Sequence, residues 1–255
     1  MHVDKQVFTD KAVQQMNARM KGSKWSDVEK MILSCRMLAA ENHSETLAGQ
    51  ITMRCADGSF LTTPLAVGFD EVSREHIIRV NDDLEVLEGE GMANPAVRFH
   101  FWIYRVRPDV NAIVHTHPPY VSALSMTGRP LRIAHMDATP FADDCAFLAE
   151  WPGLPIADNE GEIISEALGQ RRSILLANHG FLSATSSIEE TAYLAMLIDK
   201  AARHQLWAEA TGPLKEVDPA LAKESHDFLL LPQVVKASFD MFARRVLRQA
   251  PTALD

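Results

Sequence analysis

Apolar positions along this chain change period several times, and each change predicts a boundary. Val28, Ile32, Cys35, Leu38 and Ala39 recur at helical spacing behind Ser26-Asp-Val-Glu29, a capping box, so a helix is predicted from Ser26 to near Asn42-His43. Gln50 to Cys55 and Ser59 to Thr63 then alternate around Asp57-Gly58, the signature of a hairpin. Further strands are predicted at His76 to Val80 and Leu84 to Leu87, joined by a tight turn at Asp82-Asp83. A sheet built from such short hairpins favours antiparallel pairing.

The period returns to helical over Asn94 to Arg107, where Val97, Phe101, Trp102 and Tyr104 predict a largely buried helix opened by Asn94-Pro95. Asn111 to Thr116 is a short apolar run that predicts a buried strand, followed by a short helix over Pro118 to Met126 and a strand over Leu131 to His135. HMDATPFADDCAF reads as an acidic loop that places Asp137, Asp143 and Asp144 either near a site or at the solvated surface. Beyond an irregular stretch at Trp151 to Asp158 come a helix over Glu160 to Leu168, stopped by Gly169, and a strand over Arg172 to Asn178. Ser187-Ile-Glu-Glu190 opens a long helix to about Ala210, and a final amphipathic helix is expected from about Gln233 to Arg248. Residues 1–23 are polar, mixed in charge and expected to be an arm with one helical turn; residues 24–255 are expected to form a single domain with a C-terminal helical extension.

Composition narrows the class. At 255 residues, 47% hydrophobic and 23% charged, the chain suits one substantial core. A net charge of -9 argues against nucleic acid as a partner. No run reaches the ~18 apolar residues of a membrane span, and the N-terminus MHVDKQVFTDK has no signal-peptide pattern, so a cytoplasmic protein is expected. Cys35, Cys55 and Cys145 are odd in number and far apart, with no CxxC pair, which fits reduced thiols and leaves histidines as the metal candidates.

Two strand ends carry that chemistry. His115-Thr-His117 closes the first, and residues two apart on a strand share a face, so these imidazoles project side by side. His179-Gly180 closes the second. Three neutral imidazoles with an open position suit a divalent ion that polarises a substrate oxygen. Spacing alone does not bring His179 to the pair, and a strand-end histidine is commonly a hydrogen-bonded core residue.

PDVNAIVHTHPPYVSALS followed by ILLANHG resembles the class II aldolase/adducin family, and the resemblance runs from about Trp25 to about Glu209, including RFHFWIYRVRPDV at Arg98 to Val110. It implies a three-layer α/β/α fold around a central, mostly antiparallel sheet, commonly a fourfold-symmetric homotetramer. It also implies one catalytic metal ion on His115, His117 and His179, with zinc the default and iron, manganese or cobalt accepting the same ligands.

Two departures from the family pattern bear on substrate. The family's proton-shuttling carboxylate falls on Ala96, and alanine moves no proton. Its phosphate-binding asparagine, Thr-Gly pair and two serines fall on Gln50, Leu65-Ala66 and Asn94-Pro95. A phosphate needs N–H groups and hydroxyls in a small pocket. The expectation is a non-phosphorylated substrate in a larger, more apolar pocket bordered by Gln50, Asn94 and Ala96. The tyrosine that the aldolases bring from a neighbouring subunit falls near Met136, which leaves Tyr120, His135, Asp137 and Asp144 as candidate acid/base groups. The reading is a metal-dependent lyase, of aldolase or decarboxylase type, on a small oxo- or hydroxy-carboxylic acid. Alternatives on the same scaffold are a non-haem-iron oxygenase and a non-catalytic adducin-like binding protein.

Overall fold

A computed structural model describes residues 5–20 and 22–255. In chain order the elements are α1 (Lys5–Arg19), α2 (Asp27–Ala39), β1 (Gln50–Arg54), β2 (Phe60–Thr62), β3 (Ile78–Val80), β4 (Val86–Glu88), α3 (Arg98–Val106), β5 (Ala112–Thr116), α4 (Pro119–Ser125), β6 (Cys145–Leu148), α5 (Asp158–Leu168), β7 (Ser173–Leu176), β8 (Phe181–Thr185), α6 (Ile188–Glu209), α7 (Pro219–Leu229) and α8 (Pro232–Gln249). Short 3-10 turns cover Arg74–His76, Pro95–Val97 and Met136–Phe141.

The strands form one eight-stranded sheet in the order β4-β3-β2-β1-β5-β8-β7-β6. Every pairing is antiparallel except β6 with β7. Period-2 alternation sends the side chains of each strand to two separate cores. Ala112 and Val114 of β5 pack with Leu175, Phe181 and the buried faces of α2, α6 and α8. Ile113 packs the other way, with Leu182 and the apolar faces of α3 and α5. The result is three layers, α/β/α. On the α3 side, Phe60 lies 4.7 Å from Phe101 and 4.9 Å from Tyr104 between ring centroids, which anchors the helix that leads into β5.

Caps set several helix starts. The Ser26 hydroxyl accepts from the Glu29 amide and the Glu29 carboxylate accepts from the Ser26 amide, so the capping box opens α2 as expected. Ser187 accepts from the Glu190 amide at the start of α6.

Besides β8 (Phe181–Thr185), where no strand is expected, four elements differ from the sequence expectation. The arm holds a 15-residue helix over Lys5–Arg19, not one turn, because the segment has neither glycine nor proline and consists mainly of good helix formers. Residues 1–4 and Lys21 of that arm lie outside the described residues. Leu131 to His135 is not a strand: the Arg132 amide donates to the Gln205 side chain and the Ile133 carbonyl accepts from the Val217 amide, so these groups pair off the sheet. Cys145–Leu148, expected within an acidic loop, is β6, the edge strand that pairs in parallel with β7. Finally, α7 went unpredicted although its start carries a signal. Asp218 accepts from the Ala220 and Leu221 amides, with Pro219 in the first turn.

Candidate metal centre

Sheet register assembles the three imidazoles. β5 and β8 are neighbours with Thr116 opposite Phe181, so the β7–β8 turn that carries His179 lies beside His117. The three rings surround one point, with centroid separations of 4.8 Å for His115–His117, 4.7 Å for His115–His179 and 4.7 Å for His117–His179. One ligand-type nitrogen from each lies within 4.8 Å of the others, and among the described residues no carboxylate or thiol joins them.

Protonation follows from the partners. His115 Nδ1 is 2.8 Å from the Phe181 carbonyl oxygen, which can only accept, so Nδ1 carries the proton and Nε2 the lone pair. That Nε2 lies 3.0 Å from His117 Nε2. Burial, then the neighbouring His179, His117 and His100, push the His115 pKa well below 6.5. Burial lowers His117, and burial followed by His117 lowers His179 to about 4. Neutral imidazoles that converge on one point, with the His115 Nε2 lone pair turned inward by a backbone carbonyl, are a donor set that fits a divalent transition ion.

Residues not singled out from the sequence hold this cluster. Phe99 presents its ring edge-on to His115 at 5.2 Å between centroids. His43, fully buried, accepts the His117 amide on its carbonyl at 3.2 Å, and its Nδ1 lies 2.9 Å from the Thr116 hydroxyl. His100, also fully buried, pairs Nδ1 with the Thr52 hydroxyl at 2.9 Å. Their sequence signal was weak, since neither sits at a strand end or in a repeat of ligand spacing.

The expected pocket residues are distributed as follows. Gln50 is buried, lies directly opposite His115 in the β1–β5 register, and its Oε1 has no hydrogen-bond partner. Asn94 is spent on the backbone: its Oδ1 accepts from the Ala96 amide at 3.0 Å and its Nδ2 donates to the Leu47 carbonyl at 3.3 Å. Ala96 packs at the border of the α3 core. The expected larger pocket is not there. Ser44, Gly49, Leu65, Ala66 and Asn94 enclose only about 10 Å³, room for roughly one water.

The candidate acid/base groups are engaged with other partners. Tyr120 packs its ring on Trp207 and beneath Arg203 of α6. Asp144 precedes β6 beside the start of β7, whereas His179 follows the end of β7, so they occupy opposite ends of the sheet. There Asp144 pairs with Arg172 and His226. Asp137 is ion-paired to Lys200 at 2.6 Å, and His135 stacks edge-on against His204. Met136 is exposed. From the sequence, the acidic segment before β6 is expected either near a site or at the solvated surface. It is instead pinned to α6 and α7.

A model described as "Class II Aldolase and Adducin N-terminal domain" matches residues 29–206. The chain belongs to the class II aldolase and adducin family. It is 33% identical over 181 residues to "Decarboxylase NovR" of Streptomyces niveus, a match covering 69% of this chain and 67% of the relative. It is 32% identical to "4-hydroxy-3-prenylphenylpyruvate oxygenase/4-hydroxy-3-prenylbenzoate synthase" of Streptomyces roseochromogenus subsp. oscitans, over 69% of this chain and 65%, just under two thirds, of that protein. Among solved structures, "L-fuculose 1-phosphate aldolase from Glaciozyma antarctica PI12" superposes with a TM-score of 0.82 at 25% identity, covering 91% of this chain and 96% of the other. Among the described residues, no helix is long and apolar enough to cross a membrane.

Proposed function

We propose that this member of the family is a metal-dependent carbon–carbon lyase, of decarboxylase or aldolase type, acting on a small oxo- or hydroxy-carboxylic acid without phosphate. The observation that carries the reading is the closed volume of about 10 Å³ where Leu65, Ala66 and Asn94 replace the family's phosphate ligands. The similarity to a protein named as a decarboxylase agrees with it. His115, His117 and His179 would hold the ion, with zinc the default. A divalent ion held there supplies Lewis-acid polarisation of a substrate oxygen.

The chain's own groups do the rest. The Phe181 carbonyl fixes the His115 ring. The unpartnered Gln50 Oε1, opposite His115 in register, accepts a hydrogen bond from a substrate hydroxyl. Leu65, whose amide donates to the Met92 carbonyl, and Pro95, which has no amide proton, deny donors to a phosphate, and the Ala66 methyl denies space. Exposed Val7 and Phe8 on α1, with Leu87 on the β4 edge, supply apolar surface for assembly as a homotetramer.

A second reading is an oxygenase on the same scaffold, supported by the relative named as one. Both are tested by incubating chelator-stripped protein, reloaded with zinc or iron, against a panel of oxo- and hydroxy-acids while carbon dioxide and oxygen are followed. Metal-dependent product without oxygen uptake supports the lyase. Stoichiometric oxygen uptake with iron supports the oxygenase. No turnover with any metal, while the reloaded protein binds it fully, overturns both.

A further inference from the structure

His135, Asp137 and His204 meet where the Met136–Phe141 turn rests on α6, apart from the first histidine cluster. One ligand-type atom from each lies within 4.8 Å of the others. The two imidazole centroids are 5.0 Å apart, and Asp137 Oδ2 is 3.8 Å from His135 Nδ1. His204 Nδ1 is closed off from solvent and has no hydrogen-bond partner. A cavity of about 430 Å³, lined by His135, His204, Thr211 and Lys215 among others, opens beside them and leaves room for waters to complete a coordination shell.

We propose that His135, Asp137 and His204 form a second metal site that takes a divalent transition cation such as Zn²⁺. Two imidazoles and one carboxylate are borderline ligands, which hold zinc, cobalt or nickel and discriminate against magnesium and calcium, ions that prefer all-oxygen shells. The imidazole of His204 is held neutral, mainly by burial and then by its neighbours His135 and Lys200, so a lone pair is available. The Lys200 ammonium beside Asp137, a hydrogen bond first and a charge second, keeps that carboxyl below the usual carboxylate range, so it is ionised.

The site has a built-in competitor. Lys200 Nζ sits 2.6 Å from Asp137 Oδ2 and is 45% exposed, so an entering cation displaces it into solvent. A cation on His135 Nδ1 also displaces the Asp137 amide, which donates to that nitrogen at 3.1 Å. These two losses make the second site weaker than the first.

Calorimetric titration of the untagged, metal-free protein with Zn²⁺ tests this. The expected result is two ions per chain, the tighter event lost in His117→Ala and the weaker lost in His204→Ala. Even partners that only support a metal ligand change affinity by ~10–100-fold, so removing a ligand should weaken the second event at least that much. Lys200→Ala should tighten the weaker event several-fold, and Mg²⁺ should not produce it. Circular dichroism checks that His204→Ala folds, and His135→Ala, at an exposed position, serves if it does not. A single zinc per chain, or a second event untouched by both substitutions, overturns the proposal. Loss of the weaker event in His204→Ala with a tight event indifferent to His117→Ala would keep this site and overturn the assignment of the first.

Discussion

Gly180 lies against His117 so closely that a Cβ on the glycine would stand 2.6 Å from the imidazole Cδ2, and 2.5 Å from the Thr116 carbonyl oxygen. The backbone of the β7–β8 turn therefore passes the end of β5 with no room for any side chain, and that close approach is what brings His179 to the pair. The carbonyl in the way belongs to a buried strand, which cannot give.

Gly180→Ala should therefore push the His179 turn away from β5. The expected cost is about 1–3 kcal/mol of stability, as for other overpacking substitutions. Zinc affinity at the first site should fall by more than the stability change alone accounts for. Denaturant unfolding and zinc titration of the same variant check this. Unchanged zinc affinity would show that His179 is not a ligand.

Phe99 links the α3 core to the site. It is fully buried, edge-on to His115 at 5.2 Å and to His100 at 4.6 Å. Phe99→Ala should cost roughly 3–5 kcal/mol through the cavity left behind. Phe99→Leu should recover most of that stability yet still free the His115 ring, so zinc affinity should recover less than the unfolding midpoint.

Much of this architecture was legible in the sequence, for physical reasons that differ from element to element. The α2 capping box, the Asp57-Gly58 hairpin and the His-x-His strand announce themselves locally. α7 was missed because its amphipathic face is short and only Ala222 is buried, so its periodicity is weak. β8 was missed because its five residues follow directly on a turn and its Leu182-Ser183-Ala184-Thr185 alternation is too short to stand out, although every residue of it is buried. The convergence of His179 on His115 and His117 could not be read from spacing at all. It depends on β5 and β8 being neighbours, a long-range pairing that the register supplies; the resemblance implied only that the three histidines share one ion. Asp137 and Asp144 stay open between site and surface in the sequence for a matching reason: their partners, Lys200, Arg172 and His226, are distant in sequence.

His226 supplies a pH dependence. It pins α7 to the sheet through Asp144 Oδ2 at 3.2 Å and also faces Asp227 Oδ1 at 2.9 Å. The bond to Asp144 foremost, against the opposing effect of burial, raises the His226 pKa above 6.5. A raised folded pKa means that this contribution is fully present below about pH 6.5 and is lost as pH rises through the folded value. For Asp144, burial opposes ionisation but the bonds from His226 and Arg172 outweigh it, so its pKa falls below 3.8. Its contribution is present above that value and lost only in stronger acid. Hydrogen exchange within Pro219–Leu229, corrected for the intrinsic exchange rate, should show α7 held best between about pH 4 and 6.5 and loosening toward pH 8; the readout is local because the buried His43, His100 and His115, whose pKa values burial depresses, make global stability fall below pH 6.5. His226→Gln should flatten that decline, and an unchanged slope would exclude His226 as its source.

The last prediction concerns substrate. Ala66 adopts a left-handed backbone, φ +73°, at a position where the family's pattern has glycine, and its methyl group helps to fill the space that a phosphate would need. Asn94, aligned with a phosphate-binding serine, has both side-chain polar atoms committed to backbone groups. The Asn94 side chain is therefore not free to grip an anion. The zinc-loaded protein should thus show no useful turnover of fuculose- or ribulose-phosphates, and metal-dependent turnover of a carboxylic acid without phosphate. Ala96 sharpens the expectation. Its side chain lies at the border of the α3 core, so Ala96→Glu would carry a carboxylate to the edge of an apolar cluster, which lowers stability unless the carboxylate reaches solvent. That substitution should not be needed for the native activity, because proton transfer at this site is not built on position 96. Steady-state assays of the unmodified protein and of Ala96→Glu against both substrate classes decide the matter. Sugar-phosphate cleavage by the unmodified protein at rates comparable to its best carboxylic acid would show that Leu65, Ala66 and Asn94 do not exclude phosphate.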